Sequence, residues 1–512
     1  MLPDATRTCS AWDGRAIAAR RVGAAGGRAL ADLGRRAVLS LMAGGALAAA
    51  NTRAQSEPAG DTRDPRIQHI VVLMLENRSF DHMLGLLMRD VPGLRGVNPG
   101  DYFNEGADGT RFYVTDGAQY QGQFTVDPPH EFEHVHEQLG ASESGAPSMR
   151  GFVSSYERAG GNPANIMRCF RPEQLPALTA LAKHYLVCDN WFASVPGPTA
   201  PNRQFAHFGT SFGQIISGLI WLGRGRGIYG RLEAAGKQGK IYYARESGTF
   251  GMTFLGSKYF GLYGDFVADC RSGNLPDYAF VEPSYSDHAD RTIATDQHPD
   301  HYVLAGDQFI WDVYKALRAN EEVWRSTMLL IVWDEHGGIF DHVPPPRLPY
   351  GDGTPEKPFR SVRPPFAFDR LGPRVGAVVV SPYVNPGVDH TLFEHASIPA
   401  TVTQQFIGDP RDHAPFTREK NANRLLKLLA PIPPRQDWPN YKAVPLLKRV
   451  QSSDGPASAF QREHVQELHA AMAQILPDVA RVFDPAAVKT KKEVSAFITN
   501  AMTALHARAG YA

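Results

Sequence analysis

Four short stretches of this sequence carry side chains that could do chemistry together. In Glu76-Asn77-Arg78-Ser79-Phe80-Asp81-His82, a carboxylate stands beside an amide, giving a cation two hard oxygen donors. In Trp333-Asp334-Glu335-His336-Gly337-Gly338, two adjacent acids repel each other, and a divalent cation would relieve that repulsion. The glycine pair lets the chain turn sharply beneath such a site, and Asp341-His342 brings back a second carboxylate and an imidazole. In Val195-Pro196-Gly197-Pro198-Thr199-Ala200-Pro201-Asn202-Arg203, Pro201 suits a first helical turn. Thr199 then stands just ahead of a helix amino terminus, where backbone N–H groups attract anions. A metal can ionise a hydroxyl placed there, and the alkoxide can attack phosphorus. Asn202 and Arg203 offer further donors for phosphate oxygens. The fourth set is histidines beside acids, His130 in Asp127-Pro128-Pro129-His130 and His298 in Asp296-Gln297-His298-Pro299. Such rings can hold a phosphate oxygen or protonate a leaving alkoxide. His134, His136, His288 and His301 lie near enough in sequence to take their place.

Each stretch also has a bland reading. Ser79 or Asp81 could cap a helix, Asp334-Glu335 could be an acidic turn, Thr199 could be an N-cap, and a loop histidine is more often structural than catalytic. Two acid-bearing stretches that each follow a buried strand are harder to dismiss together than singly.

The elements that must position these residues are legible as periodicities. Ile67 to Leu75 is a continuous apolar run, β-branched early, and reads as a buried parallel strand ending at Glu76. Ser326 to Trp333 and Val375 to Val380 read the same way, and Asp277 to Val281 and Lys240 to Tyr243 are weaker strands. Helical spacing covers Gln174 to Tyr185 and Asp307 to Arg318. Strands alternating with helices predict an α/β layered fold with a mainly parallel sheet. In such sheets ligands bind beyond the carboxyl ends of the strands, where Glu76 and Asp334 fall. Asn98 to Gln123 reads as a surface excursion, Gly337 to Pro365 as a proline-rich loop, and 457–509 as two or three polar helices.

Composition narrows the field. The chain has 512 residues, is 43% hydrophobic, and balances 53 Lys and Arg against 53 Asp and Glu, so nothing points to nucleic acid. Gly34-Arg35-Arg36-Ala37-Val38-Leu39-Ser40, followed by an alanine-rich apolar run to Ala50, reads as a twin-arginine export signal. That run is too short to span a bilayer, which needs about 20 residues. The expectation is residues 1–55 as export signal and leader, 65–435 as catalytic domain, and 436–512 as a helical carboxyl-terminal extension. The mature protein is expected outside the cytoplasm, periplasmic or secreted, with the twin-arginine machinery as its export partner. Past the leader, Cys169, Cys188 and Cys270 allow at most one disulfide; the plainer expectation is three buried, inert thiols.

Taken in order, Glu76 to His82, Asp127 to His130, Ser194 to Arg203, Asp296 to Pro299 and Asp334 to Val343 resemble the bacterial phospholipase C and acid phosphatase family. This is the phosphoesterase family, which includes the plant non-specific phospholipases C, and the resemblance spans roughly residues 65 to 430. It implies an alkaline-phosphatase-like three-layer sandwich. It also implies one divalent metal ion on Glu76, Asn77, Thr199, Asp334 and Glu335, with Thr199 as nucleophile. Calcium, magnesium, manganese, zinc and iron all suit such donors. By the same resemblance His130 and His298 contact phosphate, while Asn202 and His342 are carried over as supporting substrate contacts. The substrate implied is a phospholipid at a membrane surface, cleaved to diacylglycerol and a phosphorylated head group. Many family phospholipases carry extra carboxyl-terminal β domains where this chain has helical sequence, which keeps an acid phosphatase acting on phosphomonoesters as the alternative. Trp191, Phe192, Trp221, Tyr229 and Tyr285 could box a choline by cation–π contact. A sulfatase would need a Cys/Ser-x-Pro-x-Arg motif, which none of the cysteines provides. A non-catalytic lipid- or surface-binding protein would be expected to lose one of the five central residues.

Overall fold

The computed structural model describes residues 62–140, 146–216, 227–249, 257–287, 293–299, 301–351, 366–446, 456–457 and most of 461–509. The leader expected over residues 1–55 lies outside them, as do Trp221, His288 and part of the proline-rich loop.

The strands, in chain order, are β1 (His69–Leu75), β2 (Phe103–Glu105), β3 (Arg111–Tyr113), β4 (Leu186–Cys188), β5 (Trp191–Phe192), β6 (Gly239–Tyr243), β7 (Phe260–Leu262), β8 (Tyr278–Glu282), β9 (Thr327–Trp333), β10 (Ala377–Val380), β11 (Gly387–Asp389) and β12 (Phe393–Glu394). Eight form one sheet in the order β11-β4-β10-β9-β1-β8-β6-β7. Only β10 runs against its neighbours, so the sheet is mixed and mainly parallel. β2 and β3 make a separate hairpin inside the excursion expected over Asn98 to Gln123, and β5 pairs with β12.

Every residue of β9 is buried, as are all of β1 after His69 and all of β8. Both faces of these central strands are therefore covered, which explains sequence runs that are apolar throughout instead of alternating. The covering helices fall into two packed sets. Pro176–His184, Val303–Arg318 and Tyr263–Ser272 form one; Thr199–Phe208, Gly227–Ala234 and Ser397–Phe406 form the other.

Register does the positioning. β1 and β9 pair in parallel from His69 opposite Thr327 to Leu75 opposite Trp333. The next residue on each strand is an acid, so Glu76 and Asp334 leave the sheet side by side. β8 lies on the other side of β1 and ends in Glu282, adding a third acid to the same edge.

Beyond the sheet, the described residues of the last segment include the helices Pro477–Ala480 and Lys491–Ala509. Val465, Leu468, Met472, Val494, Phe497 and Ile498 belong to the same buried apolar cluster as the sheet. Cys169, Cys188 and Cys270 are all free and buried, so the plainer thiol expectation holds and no disulfide joins them. No described helix is long and apolar enough to cross a membrane.

Candidate active site

Beyond the paired ends of β1 and β9 the chain makes two unusual turns. Asn77 has φ of 54°, a left-handed conformation that an asparagine tolerates better than most residues. Gly337 and Gly338 have φ of 63° and 67°. A Cβ on Gly337 would stand 2.2 Å from the Asn77 carbonyl oxygen, and one on Gly338 would stand 2.6 Å from that of Pro129. The glycine pair therefore lets three segments close on one another: the β1 end, the β9 end and the loop that carries His130.

Thr199 is the first residue of its helix, one place further in than the sequence suggested, with Pro198 as N-cap. The Thr199 hydroxyl donates to Asn77 Oδ1 at 3.1 Å. The Asn77 N–H donates to Asp334 Oδ1 at 3.1 Å, and the Glu335 N–H donates to the same oxygen at 2.7 Å. Hydrogen bonds thus join Thr199, Asn77, Asp334 and Glu335, Glu76 shares the Arg203 guanidinium with Asp334, and all five are buried. Glu76 Oε2 and Glu335 Oε1 are buried there without a hydrogen-bond partner. Together with Asn77 Oδ1 and the Thr199 hydroxyl they make a set of hard oxygen donors that fits a divalent ion.

Electrostatics agree with that fit. Burial pushes the Glu76 carboxyl well above its usual range, and Asp334, Asp296 and Glu335 push it the same way against the pull of Arg203. Burial raises Asp334 as well, with Arg203 opposing. Burial also pushes Glu335 upward, but His130, His336 and the Gly337 N–H outweigh it and hold that carboxyl below its usual range. Clustered buried carboxylates call for positive charge.

The histidines approach from the other side. His130 Nδ1 donates to the Pro128 carbonyl at 2.7 Å, which leaves Nε2 facing Glu335 Oε1 at 4.0 Å. Burial disfavours the His130 cation, yet Glu335, Asp127 and Glu131 raise its pKa to about 10. One ligand atom from each of Asp127, His130 and His298 lies within 4.8 Å of the others, and His298 Nε2 is 3.9 Å from Asp127 Oδ1. The His298 loop is tied to the strand ends: Glu76 N–H donates to the Asp296 carbonyl at 2.8 Å, and Trp333 Nε1 to Gln297 Oε1 at 3.0 Å. His301, a possible substitute, is engaged with Asp296 at 2.7 Å and lies 3.3 Å from Gln461 Nε2 of the carboxyl-terminal segment. His134 and His136 lie on the helix Phe132–Leu139 that follows His130, and neither belongs to the cluster around Asp127.

Four expectations need correction. Asn202 does not face a substrate: Oδ1 accepts from the Val195 N–H, and Nδ2 donates to the Val195, Gly197 and Pro198 carbonyls. Its amide is used up in shaping the loop before Thr199. Arg203 does not reach for phosphate either; it is 1% exposed and held by Asp334, Glu76 and Tyr285. His342 pairs with Asp81 at 2.7 Å and stacks on Tyr102, in a cluster where Arg374 bridges Asp81 and Asp341. There the cationic partner is already built in, and none of its contacts is with Thr199. The aromatic box is core: Trp191, Phe192, Tyr229 and Tyr285 are at most 1% exposed. Trp191 stacks on Phe393, and the Tyr285 hydroxyl accepts from Arg203.

The sequence reading missed Glu282, whose carboxylate accepts from Ser247, Thr249 and Tyr285 and lies 3.9 Å from Arg203. Its signal was present, an acid closing an apolar strand like Glu76. His395 was missed too; its Nε2 donates to the Asp334 carbonyl at 2.5 Å, and nothing in its local sequence marks it.

A sequence profile described as the phosphoesterase family matches residues 67–407. Non-specific phospholipase C1 of Arabidopsis thaliana is 36% identical over 431 residues, covering 78% of each chain. Phospholipase C B of Mycobacterium tuberculosis is 29% identical over 452 residues, covering 74% of this chain and 82% of its own. Non-hemolytic phospholipase C of Burkholderia pseudomallei is 29% identical, covering 68% of this chain and 56% of its own. Solved structures overlay loosely. A protein in the alkaline phosphatase superfamily from Vibrio parahaemolyticus gives a TM-score of 0.28 at 11% identity, over 46% of this chain and 60% of that one. The phosphonate monoester hydrolase of Agrobacterium radiobacter gives 0.29 at 9%, over 71% and 77%.

Proposed function

We propose, from the premise that this chain belongs to the phosphoesterase family, that it cleaves phospholipids as a metal-dependent phospholipase C through a phosphothreonine on Thr199. At the coarser level it is a hydrolase of phosphoester bonds of phospholipase C-like type. The observation that carries the finer reading is the Thr199 hydroxyl on Asn77 Oδ1, with Glu76 and Glu335 each keeping a buried carboxylate oxygen free of hydrogen bonds.

Glu76, Asn77, Thr199, Asp334 and Glu335 would hold a divalent ion, which would supply Lewis acidity at the Thr199 hydroxyl and a phosphoryl oxygen. Thr199 Oγ1 attacks phosphorus in line; the new Oγ–P bond forms as the bond from phosphorus to the glyceryl oxygen breaks, and the hydroxyl proton leaves to solvent. His130 or His298 passes a proton to the departing alkoxide, which leaves as diacylglycerol. His130 suits this because its Nδ1 is fixed on Pro128, so Nε2 is the atom presented. Water then adds to phosphorus, the Oγ–P bond breaks, and Thr199 regains a proton. The substrate class is supported by relatives named phospholipases C. The paired arginines and apolar run of the leader support export, with action at a membrane surface from outside the cytoplasm.

The test uses two chromogenic esters, nitrophenyl phosphorylcholine and nitrophenyl phosphate. The expected result is cleavage of the diester, abolished by chelation and restored by metal. Thr199→Ala is expected to lose several powers of ten in kcat with an unchanged circular dichroism spectrum. Cleavage of the monoester alone makes the protein a phosphatase. Near-normal turnover by Thr199→Ala removes the phosphothreonine.

A further inference from the structure

Arg203 stands one helical turn after Thr199, so its side chain leaves the same face of the helix. Its guanidinium is enclosed. Nε donates to Asp334 Oδ2 at 3.1 Å, Nη2 to Glu76 Oε1 at 3.0 Å, and Nη1 to the Tyr285 hydroxyl at 2.9 Å, with Glu282 Oε1 at 3.9 Å. Four oxygens from three segments, the ends of β1, β8 and β9, converge on one buried positive charge. They are the hard donors that a second metal ion would take. The guanidinium occupies one oxygen of Glu76, and the other, Oε2, is buried without a hydrogen-bond partner. Three carboxylates, Glu76, Glu282 and Asp334, surround one arginine.

We propose that Arg203 is a built-in cation standing where a second metal ion would otherwise bind, so that it sets the metal count at one and orients Glu76 and Asp334. This rests on the metal centre proposed above. Arg203 is a positioning residue: it acts through the two carboxylates and touches no substrate. A lysine keeps the charge but cannot bridge two carboxylates with a planar fork. A neutral side chain leaves the four oxygens open to a second cation.

The experiment is equilibrium dialysis of the whole chain against Mn2+, with elemental analysis of bound metal, circular dichroism of each variant, and kcat and KM measured apart. The wild type is expected to hold one equivalent. Arg203→Lys is expected to hold one equivalent with kcat down about tenfold or more and KM little changed. Arg203→Ala is expected to hold two equivalents, and Arg203→Gln is a second neutral variant should the alanine fail to fold. Two equivalents in the wild type, or one in a natively folded neutral variant, overturns this assignment and leaves the single-metal centre intact. No bound metal in the wild type overturns the centre itself, and this assignment with it.

Discussion

Four hydrogen bonds link the Asn202 side chain to the protein, and all of them end in the loop that delivers Thr199. Truncating it strands the Val195 N–H and takes a donor from the Val195, Gly197 and Pro198 carbonyls, at a cost of about 1–3 kcal/mol for a stranded donor or acceptor. Asn202→Ala is therefore expected to lower the melting temperature and to cut kcat about 100-fold, as a misplaced nucleophile does, with little change in KM. Steady-state kinetics with thermal melts check this; a raised KM at normal kcat would return Asn202 to the substrate. At this scale the sequence was legible where chemistry and place coincide. Glu76, Asn77, Asp334 and Glu335 each follow a strand whose end could be read. It was not legible where the direction of a side chain decides. Nothing in Asn202-Arg203 says that one turns back to its own loop and the other inward to acids. Likewise Trp191 and Tyr229 look the same in sequence whether they line a pocket or fill a core.

Among the elements, the parallel register of β1 and β9 brings Glu76-Asn77 level with Asp334-Glu335, and the Gly337-Gly338 turn locks them together. Gly337→Ala puts a methyl group into the Asn77 carbonyl and forces a left-handed φ that costs about 1–2 kcal/mol by itself. The chain has to move, and the piece in contact is Asn77, the acceptor of the Thr199 hydroxyl. Activity is expected to fall by a larger factor than the fraction folded at the assay temperature, measured by kcat beside a melt. Wild-type turnover in Gly337→Ala would show that Asn77 tolerates displacement. The strands were readable because central parallel strands are apolar throughout. Pairing order was not, since β10 runs antiparallel between β4 and β9 and no local pattern announces direction.

For the whole molecule, buried neutral histidines work against the folded state in acid. His207 fills both ring nitrogens with Tyr229 and Thr249 at 3.2 Å, and burial, with Arg203 nearby, lowers its pKa to about 3. Burial lowers His395 to about 4 against the pull of its bond to the Asp334 carbonyl. An unfolded histidine binds its proton near pH 6.5 while these rings do not, so their contribution is complete above pH 6.5 and is lost as pH falls toward 3 to 4. Each ring costs roughly 2–3 kcal/mol of stability at pH 4.5 by this linkage. Asp307 works in the opposite sense: burial raises it to about 7, so it favours folding at low pH. Comparing variants isolates the ring. The drop in melting temperature from pH 7 to pH 4.5 is expected to be smaller in His207→Gln than in the wild type. An equal drop would mean that His207 accepts a proton where it stands.

The contact between Gln461 and His301 has a consequence for where this enzyme can be cut. The family profile ends at 407, and a fragment trimmed to that boundary would keep every residue the profile matches. It would shed Val465, Leu468 and Met472 from beside the sheet, and with them the neighbour that braces the imidazole behind Asp296. The segment that the profile matches is therefore smaller than the unit that packs, and the difference falls on the loop that presents His298.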